Sequence, residues 1–374
     1  MSNKVPQLRF KGFTDPWVQR KLGEITDSLD SQRVPIESGN REIGQYPYYG
    51  ATGVVDYVDG YIFDGEYVLL AEDGANITMR TNPIAYKTSG KFWLNNHAHI
   101  MKAHGDAEFL KQSLERISYL KYNSGTAQPK LNAKAVQGIE LEVPGIEEQS
   151  KIGGLFESVD KLIDANQRKL AKLKELKQGY LQRMFPKNGS KFPQLRFSGF
   201  ADAWEQRKVS ELADRYDNHR VPITASERVA GGTPYYGANG IQDHVEGFTH
   251  DGEFILVAED GANDLQNYPV QYADGKVWVN NHAHVLQAKE ETADNKFLMN
   301  ALKHTNIEPY LVGGGRAKLN ADVMMKIDFK VPTLPEQIQI GKFFDNLDHL
   351  ITLHQRKSDL LKELKKGFLQ KMFV

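Results

Sequence analysis

The 374-residue chain has no cysteine, which excludes disulfide frameworks and thiolate metal sites and suits a reducing compartment. No run of eighteen apolar residues occurs, and the opening MSNKVPQLRFKGF lacks the apolar core of a secretory signal. Neither membrane insertion nor export is therefore expected, and a cytoplasmic location is. Charge of one sign is also missing: 47 Lys plus Arg against 48 Asp plus Glu give a net charge of −1. A protein that grips nucleic acid alone usually carries a basic excess, because phosphate contacts dominate affinity. If the ligand is DNA, other subunits should supply much of the grip. Motifs for chemistry are absent as well. There is no GxxxxGK[ST] loop to cradle nucleotide phosphates. An adenine methyltransferase would need an Asn/Asp-Pro-Pro-aromatic loop and a glycine-rich cofactor turn, and the nearest strings, Asn82-Pro83-Ile84 and Asn267-Tyr268-Pro269, do not fit. What remains is an ordinary soluble composition, 40% hydrophobic and 25% charged, in a chain long enough for two domains with real cores.

The chain contains one unit written twice. VPQLRFKGFTDPWVQRKLGEI from Val5 returns as FPQLRFSGFADAWEQRKVSEL from Phe192, an offset of 187. PYYGATG at Pro47 returns as PYYGANG at Pro234, and AEDGAN at Ala71 returns unchanged at Ala258, both at 187. NNHAH at Asn95 returns at Asn280, so two residues have been lost. From Lys130-Leu-Asn to Lys318-Leu-Asn the offset is 188, and it stays there to the end. Such self-similarity decides architecture before any local reading.

Each copy ends in a long helical pattern. In the first, Ile152, Leu155, Val159, Leu162, Asn166, Leu170, Leu173, Leu176, Tyr180 and Met184 recur at steps of three and four. The second keeps the pattern through Ile340, Phe343, Leu347, Leu350, His354, Leu361, Leu364, Phe368 and Met372. A seam this narrow asks for one long partner, and the other copy is the obvious one. The expected pair is an antiparallel coiled coil, with Asn166 and His354 as polar residues that fix register. A helix over 147–185 would span roughly 58 Å at about 1.5 Å per residue. Basic residues crowd the later half of each helix: Arg168, Lys169, Lys172, Lys174, Lys177 and Arg183, then Arg356, Lys357, Lys362, Lys365, Lys366 and Lys371. They read either as a solvated face or as a docking strip for partners or DNA backbone.

The segments before the helices read as α/β (α+β) domains around mixed sheets. Strands are expected at Glu66-Tyr-Val-Leu-Leu-Ala, over 91–101 and over 139–144, and a helix over 107–122. The expected boundaries are 1–146 and 188–334 for the two globular domains, and 147–187 and 335–374 for the helices.

The arm and tryptophan turn PQLRFKGFTDPWVQRKLGEI, the stretch Ser124-Gly-Thr-Ala-Gln-Pro-Lys-Leu-Asn and the VPxxEEQxxI start of the long helix resemble the specificity subunit of type I restriction-modification enzymes. The resemblance covers nearly the whole chain, twice. It implies two target-recognition domains joined by the helix pair in a pseudo-twofold molecule. Each domain would read half of a bipartite DNA site, and the helices would set the gap. It also implies a non-catalytic chain with no cofactor of its own. Two methylation subunits using S-adenosylmethionine would dock on it, with restriction subunits using ATP and magnesium attached through them.

Positions that differ between the copies can carry different sequence preferences, whereas identical ones must serve the scaffold, phosphate or a shared base. Among the loops, Asn76, Arg80, Gln128, Asn263, Gln266, Asn267 and Arg316 have side chains able to bond base edges. Lys130 and Lys318 suit phosphate. Tyr48, Tyr49, Tyr235 and Tyr236 read as half core and half surface, with stacking on DNA as the functional alternative. His97 with His99, and His282 with His284, alternate as if on one strand face, but no further ligand stands at a convincing spacing, so no metal is expected. Glu72-Asp73 and Glu259-Asp260 read as strand-end turns rather than acid/base pairs. The competing reading of the whole chain is a coiled-coil scaffold whose globular ends bind proteins.

Overall fold

The computed structural model describes residues 5–125, 128–187, 189–313 and 317–374. The chain divides into two compact units: Met1–Gln167 with Arg356–Val374, and Arg168–Gln355. Each unit thus takes the first part of one long helix and the last part of the other. Among the described residues, no helix is long and apolar enough to cross a membrane.

The first copy of the repeat runs β1 (Val18–Lys21), α1 (Leu22–Ile25), β2 (Thr26–Ser28), β3 (Ile43–Gly50), β4 (Gly53–Val58), β5 (Phe63–Asp64), β6 (Tyr67–Ala71), α2 (Asn76–Met79), β7 (Ala85–Thr88), β8 (Lys91–Leu94), β9 (Ala98–Ala103), α3 (Ala107–Arg116), α4 (Ala133–Gln137), β10 (Glu140–Val143) and α5 (Ile146–Met184). The second runs β11 (Glu205–Lys208), α6 (Val209–Leu212), β12 (Ala213–Arg215), β13 (Ala230–Gly237), β14 (Gly240–Val245), β15 (His250–Ala258), β16 (Val270–Val279), β17 (Ala283–Ala288), α7 (Asn295–His304), α8 (Ala321–Met324), β18 (Asp328–Val331) and α9 (Leu334–Lys371).

Each unit has one mixed sheet, as expected, with a single parallel pair, β3-β8 or β13-β16, and the remaining pairings antiparallel. In the first unit the sheets follow the orders β2-β9-β6-β7 and β4-β3-β8-β5, beside the pair β1-β10. Tyr48 and Tyr49 of β3 lie parallel to Trp93 and Leu94 of β8. The second unit joins the corresponding strands into one sheet, β12-β17-β15-β16-β13-β14, beside β11-β18.

Two local expectations are corrected. The strand expected over 91–101 is broken, because Asn95 Oδ1 accepts the His97 N–H at 2.8 Å, an Asx turn that separates β8 from β9. His97 therefore sits in a turn and only His99 on a strand. The helix expected over 107–122 ends at Arg116, where Ile117 turns extended at φ −73°, ψ 140°.

The long helices form over 39 and 38 residues. The buried seam of α5 keeps Ile152, Val159, Asn166 and Leu170 of the expected line but takes Phe156 and Ile163 in place of Leu155 and Leu162. Ile152, Phe156, Val159, Ile163, Asn166 and Leu170 are buried, alternating steps of four and three, whereas Leu162 is 53% and Leu176 41% exposed. Leu350 and Leu364 of α9 are likewise exposed, and Phe344 rather than Phe343 is fully buried. The spacing of the leucines permitted either phase, since Leu155 and Phe156, or Leu162 and Ile163, fit an alternation of three and four equally well.

Within the first unit the start of α5 runs antiparallel to the end of α9: Phe156 meets Phe373 at 5.8 Å between ring centroids, and Asp160 pairs with Lys365 at 2.6 Å. Within the second, Tyr180 near the end of α5 meets Phe343 of α9 at 5.0 Å, and Lys177 pairs with Asp348 at 2.5 Å. Lys177 and Lys365 therefore belong to the helix contacts and not to the solvated basic strip.

The repeated arm now has a physical reason. Leu8 N–H donates to the Lys371 carbonyl at 2.8 Å, satisfying an orphan acceptor at the end of α9. Arg9 forks onto Glu148 at 2.6 and 2.7 Å at the start of α5, and Glu148 is only 1% exposed. In the second unit Leu195 caps Arg183 at 2.9 Å and Arg196 forks onto Glu336 at 2.7 Å twice. The turn tryptophans complete the cores: Trp17 packs edge-on to Phe109 and Phe373, and Trp204 to Phe297 and Phe185.

Candidate functional site

In each unit the expected loops converge at the end of the strand carrying the Glu-Asp pair. Glu72 follows β6 and receives Arg33 Nη1 at 2.6 Å and Lys130 Nζ at 3.2 Å. Arg33 also donates to the carbonyl of Ala98 at 2.8 Å. His99 on β9 donates from one ring nitrogen to Asp30 at 2.6 Å and from the other to the Leu131 carbonyl at 2.8 Å. The Leu131 N–H returns to the Glu72 carbonyl at 2.7 Å. Four separate segments are thereby tied into one frame.

The second unit repeats the frame: Arg220 to Glu259 at 2.6 Å, Lys318 to Glu259 at 2.9 Å, His284 to Asp217 at 2.7 Å and to the Leu319 carbonyl at 2.8 Å, and Leu319 N–H to the Glu259 carbonyl at 2.7 Å. The KLN motif is now legible. Its lysine reaches the glutamate, its leucine is fully buried, and Asn132 caps α4 by accepting the Ala135 N–H at 2.8 Å.

The frame sets the ionisation of its carboxyls. Burial penalises the charged form of Asp30, but hydrogen bonds from His99 and Ile100 and the nearby Arg33 outweigh it and hold the carboxyl below its ordinary range. Asp217 is held low in the same way by His284, Val285 and Arg220. Glu72 and Glu259, also partly desolvated, are held low by Arg33 and Arg220 with help from the frame lysines. Asp217, Glu259 and His284 lie close enough to share an ion. Their ligand atoms already face Arg220, Lys318, the Val285 N–H and the Leu319 carbonyl, so side chains of the protein fill the place a cation would take. The same holds for His99, whose two ring nitrogens are both engaged.

A bridge between Asp73 and Lys130 joins the loop of Asn76 and Arg80 to that of Gln128 and Lys130, and a bridge between Asp260 and Lys318 joins the loop of Asn263, Gln266 and Asn267 to that of Lys318. Gln128, Asn263, Gln266 and Asn267 are exposed. Lys130 and Lys318 are half exposed while holding their glutamates. Arg316 lies outside the described residues.

Several of these side chains are engaged within their own unit. Asn76 accepts the Asn82 N–H at 2.9 Å and donates to the carbonyls of Asn82 and Pro83 at 3.0 and 3.1 Å. Arg80, in the left-handed region at φ 52°, pairs with Glu115 at 3.0 Å and donates to the Ile117 carbonyl at 3.3 Å. Asn267 donates to Asp264 at 3.0 Å.

The tyrosine reading is corrected for three of four. Tyr48 and Tyr235 are fully buried, each hydroxyl bonded to both backbone groups of Ile36 or Ile223, with Arg41 or Arg228 over the ring at 4.3 Å. Tyr236 is buried as well, and none of these rings offers a free face to a base. Tyr49 is half-buried against Phe92. Of the two register residues, Asn166 is buried and His354 half-buried.

The sequence reading passed over Arg33, Asp30, Arg220 and Asp217. A signal existed: Arg-Val-Pro-Ile at 33–36 returns at 220–223. Trp93 and Trp278 donate their indole N–H to the carbonyls of Val34 and Val221 in these strings, at 2.6 and 2.8 Å.

Comparison with known proteins supplies the family. The family described as the type I restriction modification DNA specificity domain matches residues 14–175 and again 201–363. A putative type I restriction enzyme specificity subunit of Haemophilus influenzae is 44% identical over 164 residues, which are 44% of this chain and 42% of that protein. The chain thus matches less than half of that relative's length. The MjaVIII specificity subunit of Methanocaldococcus jannaschii is 21% identical over 94% of this chain and 91% of its own. The crystal structure of the type I restriction-modification S subunit from M. genitalium superposes with a TM-score of 0.78 over 99% of both chains at 15% identity, which shows a shared fold. Since the match falls once on each copy of the repeat and takes in most of both, the chain belongs to the type I restriction modification DNA specificity family.

Proposed function

We propose that this chain reads DNA sequence for a type I restriction-modification enzyme. Each unit reads one half of a bipartite target, and α5 and α9 together set the gap between halves and dock two methylation subunits. Restriction subunits attach through those. The chain carries out no chemistry and binds no cofactor. S-adenosylmethionine, ATP and magnesium belong to the partner subunits.

One observation carries this reading: the same frame of arginine, glutamate, lysine and histidine stands in both units, with distances that agree to a few tenths of an ångström, and holds the same set of loops. Two like sites in one chain suit two related half-sites, arranged as near inverted repeats. A net charge of −1 leaves little free attraction for phosphate, so tight DNA binding should need the methylation subunits. The test is gel shift with and without those subunits, alongside mapping of adenine methylation in cells with and without this chain. A bipartite motif that disappears with the chain supports the proposal. A chain that captures proteins but leaves methylation unchanged would favour the scaffold reading.

A further inference from the structure

The two frames are alike, but the loops they hold are not. Ladder partners Leu70 and Ala85 enclose the first loop, and Val257 and Val270 enclose the second, which is two residues shorter. The first loop is fixed from within by Asn76 and from the side by Arg80 on Glu115, whose other oxygen accepts the N–H groups of Ile84 and Ala85 at 2.6 Å each. The second is fixed by different residues. Asp264 accepts the N–H groups of Gln266 and Asn267 at 2.9 Å each, and Asn239, where the first copy has Thr52, accepts the Asn263 N–H at 3.0 Å and donates to the Gly261 carbonyl at 2.9 Å. Tyr268 closes it on the Ala258 carbonyl at 2.9 Å.

With those side chains turned to internal work, the large outward side chain at the first tip is Met79, 68% exposed and without a hydrogen-bond donor, while the exposed Asn82 amide donates to the Thr81 hydroxyl at 3.5 Å. The neighbouring Thr78 hydroxyl is bonded back to the Ala75 carbonyl at 3.1 Å. At the second tip the exposed Gln266 stands beside Leu265. An amide can both donate to and accept from one adenine edge, whereas a thioether chain has no donor, accepts only weakly and suits the thymine methyl.

We infer that Met79 and Gln266, at the tips of two differently braced loops, make the two half-sites differ: Gln266 selects an adenine in the half read by the second unit, and Met79 accepts a thymine methyl in the other. This rests on the reading of both units as DNA readers. The probe is a pool of duplexes randomised over the target length, selected on the full chain assembled with its methylation subunits and then sequenced.

Gln266→Ala should relax one adenine position by about 5- to 150-fold, the range for one bidentate base contact. Met79→Gln should replace the preference at one position of the other half, with every remaining position unchanged in both variants. Because both residues are exposed, neither variant should disturb the fold, and circular dichroism checks this. Variants that enrich the unaltered motif would overturn the inference, as would folded variants that lose all sequences alike. If the unsubstituted complex itself enriches no motif, the reading under Proposed function fails instead.

Discussion

Lys365 near the end of α9 reaches Asp160 of α5 at 2.6 Å, and the duplicated pair Lys177 and Asp348 does the same in the other unit at 2.5 Å. These ion pairs sit against apolar helix contacts, partly screened from water, and each fixes how two helix segments meet within one unit. The double variant Lys365→Ala/Asp160→Ala should therefore destabilise less than the sum of the single variants, by about 1 kcal/mol. Urea unfolding of the four proteins measures this, and strictly additive losses would contradict it.

Glu148 is almost wholly buried, and the fork of Arg9 matches its charge. Glu148→Ala strands a desolvated guanidinium and should cost about 3 to 5 kcal/mol. Replacing both residues by methionine should recover most of that loss. Denaturant midpoints decide, and a double variant as unstable as Glu148→Ala would refute the assignment.

Asp30, Glu72, Asp217 and Glu259 are all held below their ordinary ranges. Each stays ionised in the folded protein to a lower pH than in the unfolded chain. Their contribution is complete above the unfolded values, about 4, and is lost as pH falls through the folded ones. Melting temperature should be level from pH 7 to about 5 and fall toward pH 3. Glu72→Gln should melt lower at pH 7 and show a shallower fall, which thermal scans across that range will reveal.

Tyr48 anchors the loop after Arg33 through a hydroxyl bonded to both backbone groups of Ile36. Tyr48→Phe should cost about 1 to 2 kcal/mol and leave the selected DNA motif unchanged. A changed motif at unchanged stability would restore the surface role that the sequence suggested.

The duplication, the two long helices and the mixed α/β character could be read directly from the chain, because offsets, periodicity and strand composition are local properties. The phase of the helix seam could not. Leu155 and Phe156, or Leu162 and Ile163, satisfy the same spacing, and the choice is made by a partner distant in sequence. The candidate loops were identified correctly as places where the copies diverge, but the work of Asn76, Arg80 and Tyr48 depends on Asn82, Glu115 and Ile36, which no spacing rule connects to them. Arg33 and Arg220 were missed for a related reason: a lone arginine in a short repeated string gives no hint that it reaches Glu72 or Glu259, 39 residues away.

The central claim is that α5 and α9 act as a ruler between two independent readers. Inserting seven residues into the middle of each helix keeps the alternation of four and three in the seam and adds about 10 Å at 1.5 Å per residue, close to three base pairs of DNA. Methylation mapping of cells carrying this variant should show both half-site sequences unchanged, with the gap between them enlarged by about three base pairs. An unchanged gap, or altered half-sites at the old gap, would contradict the account.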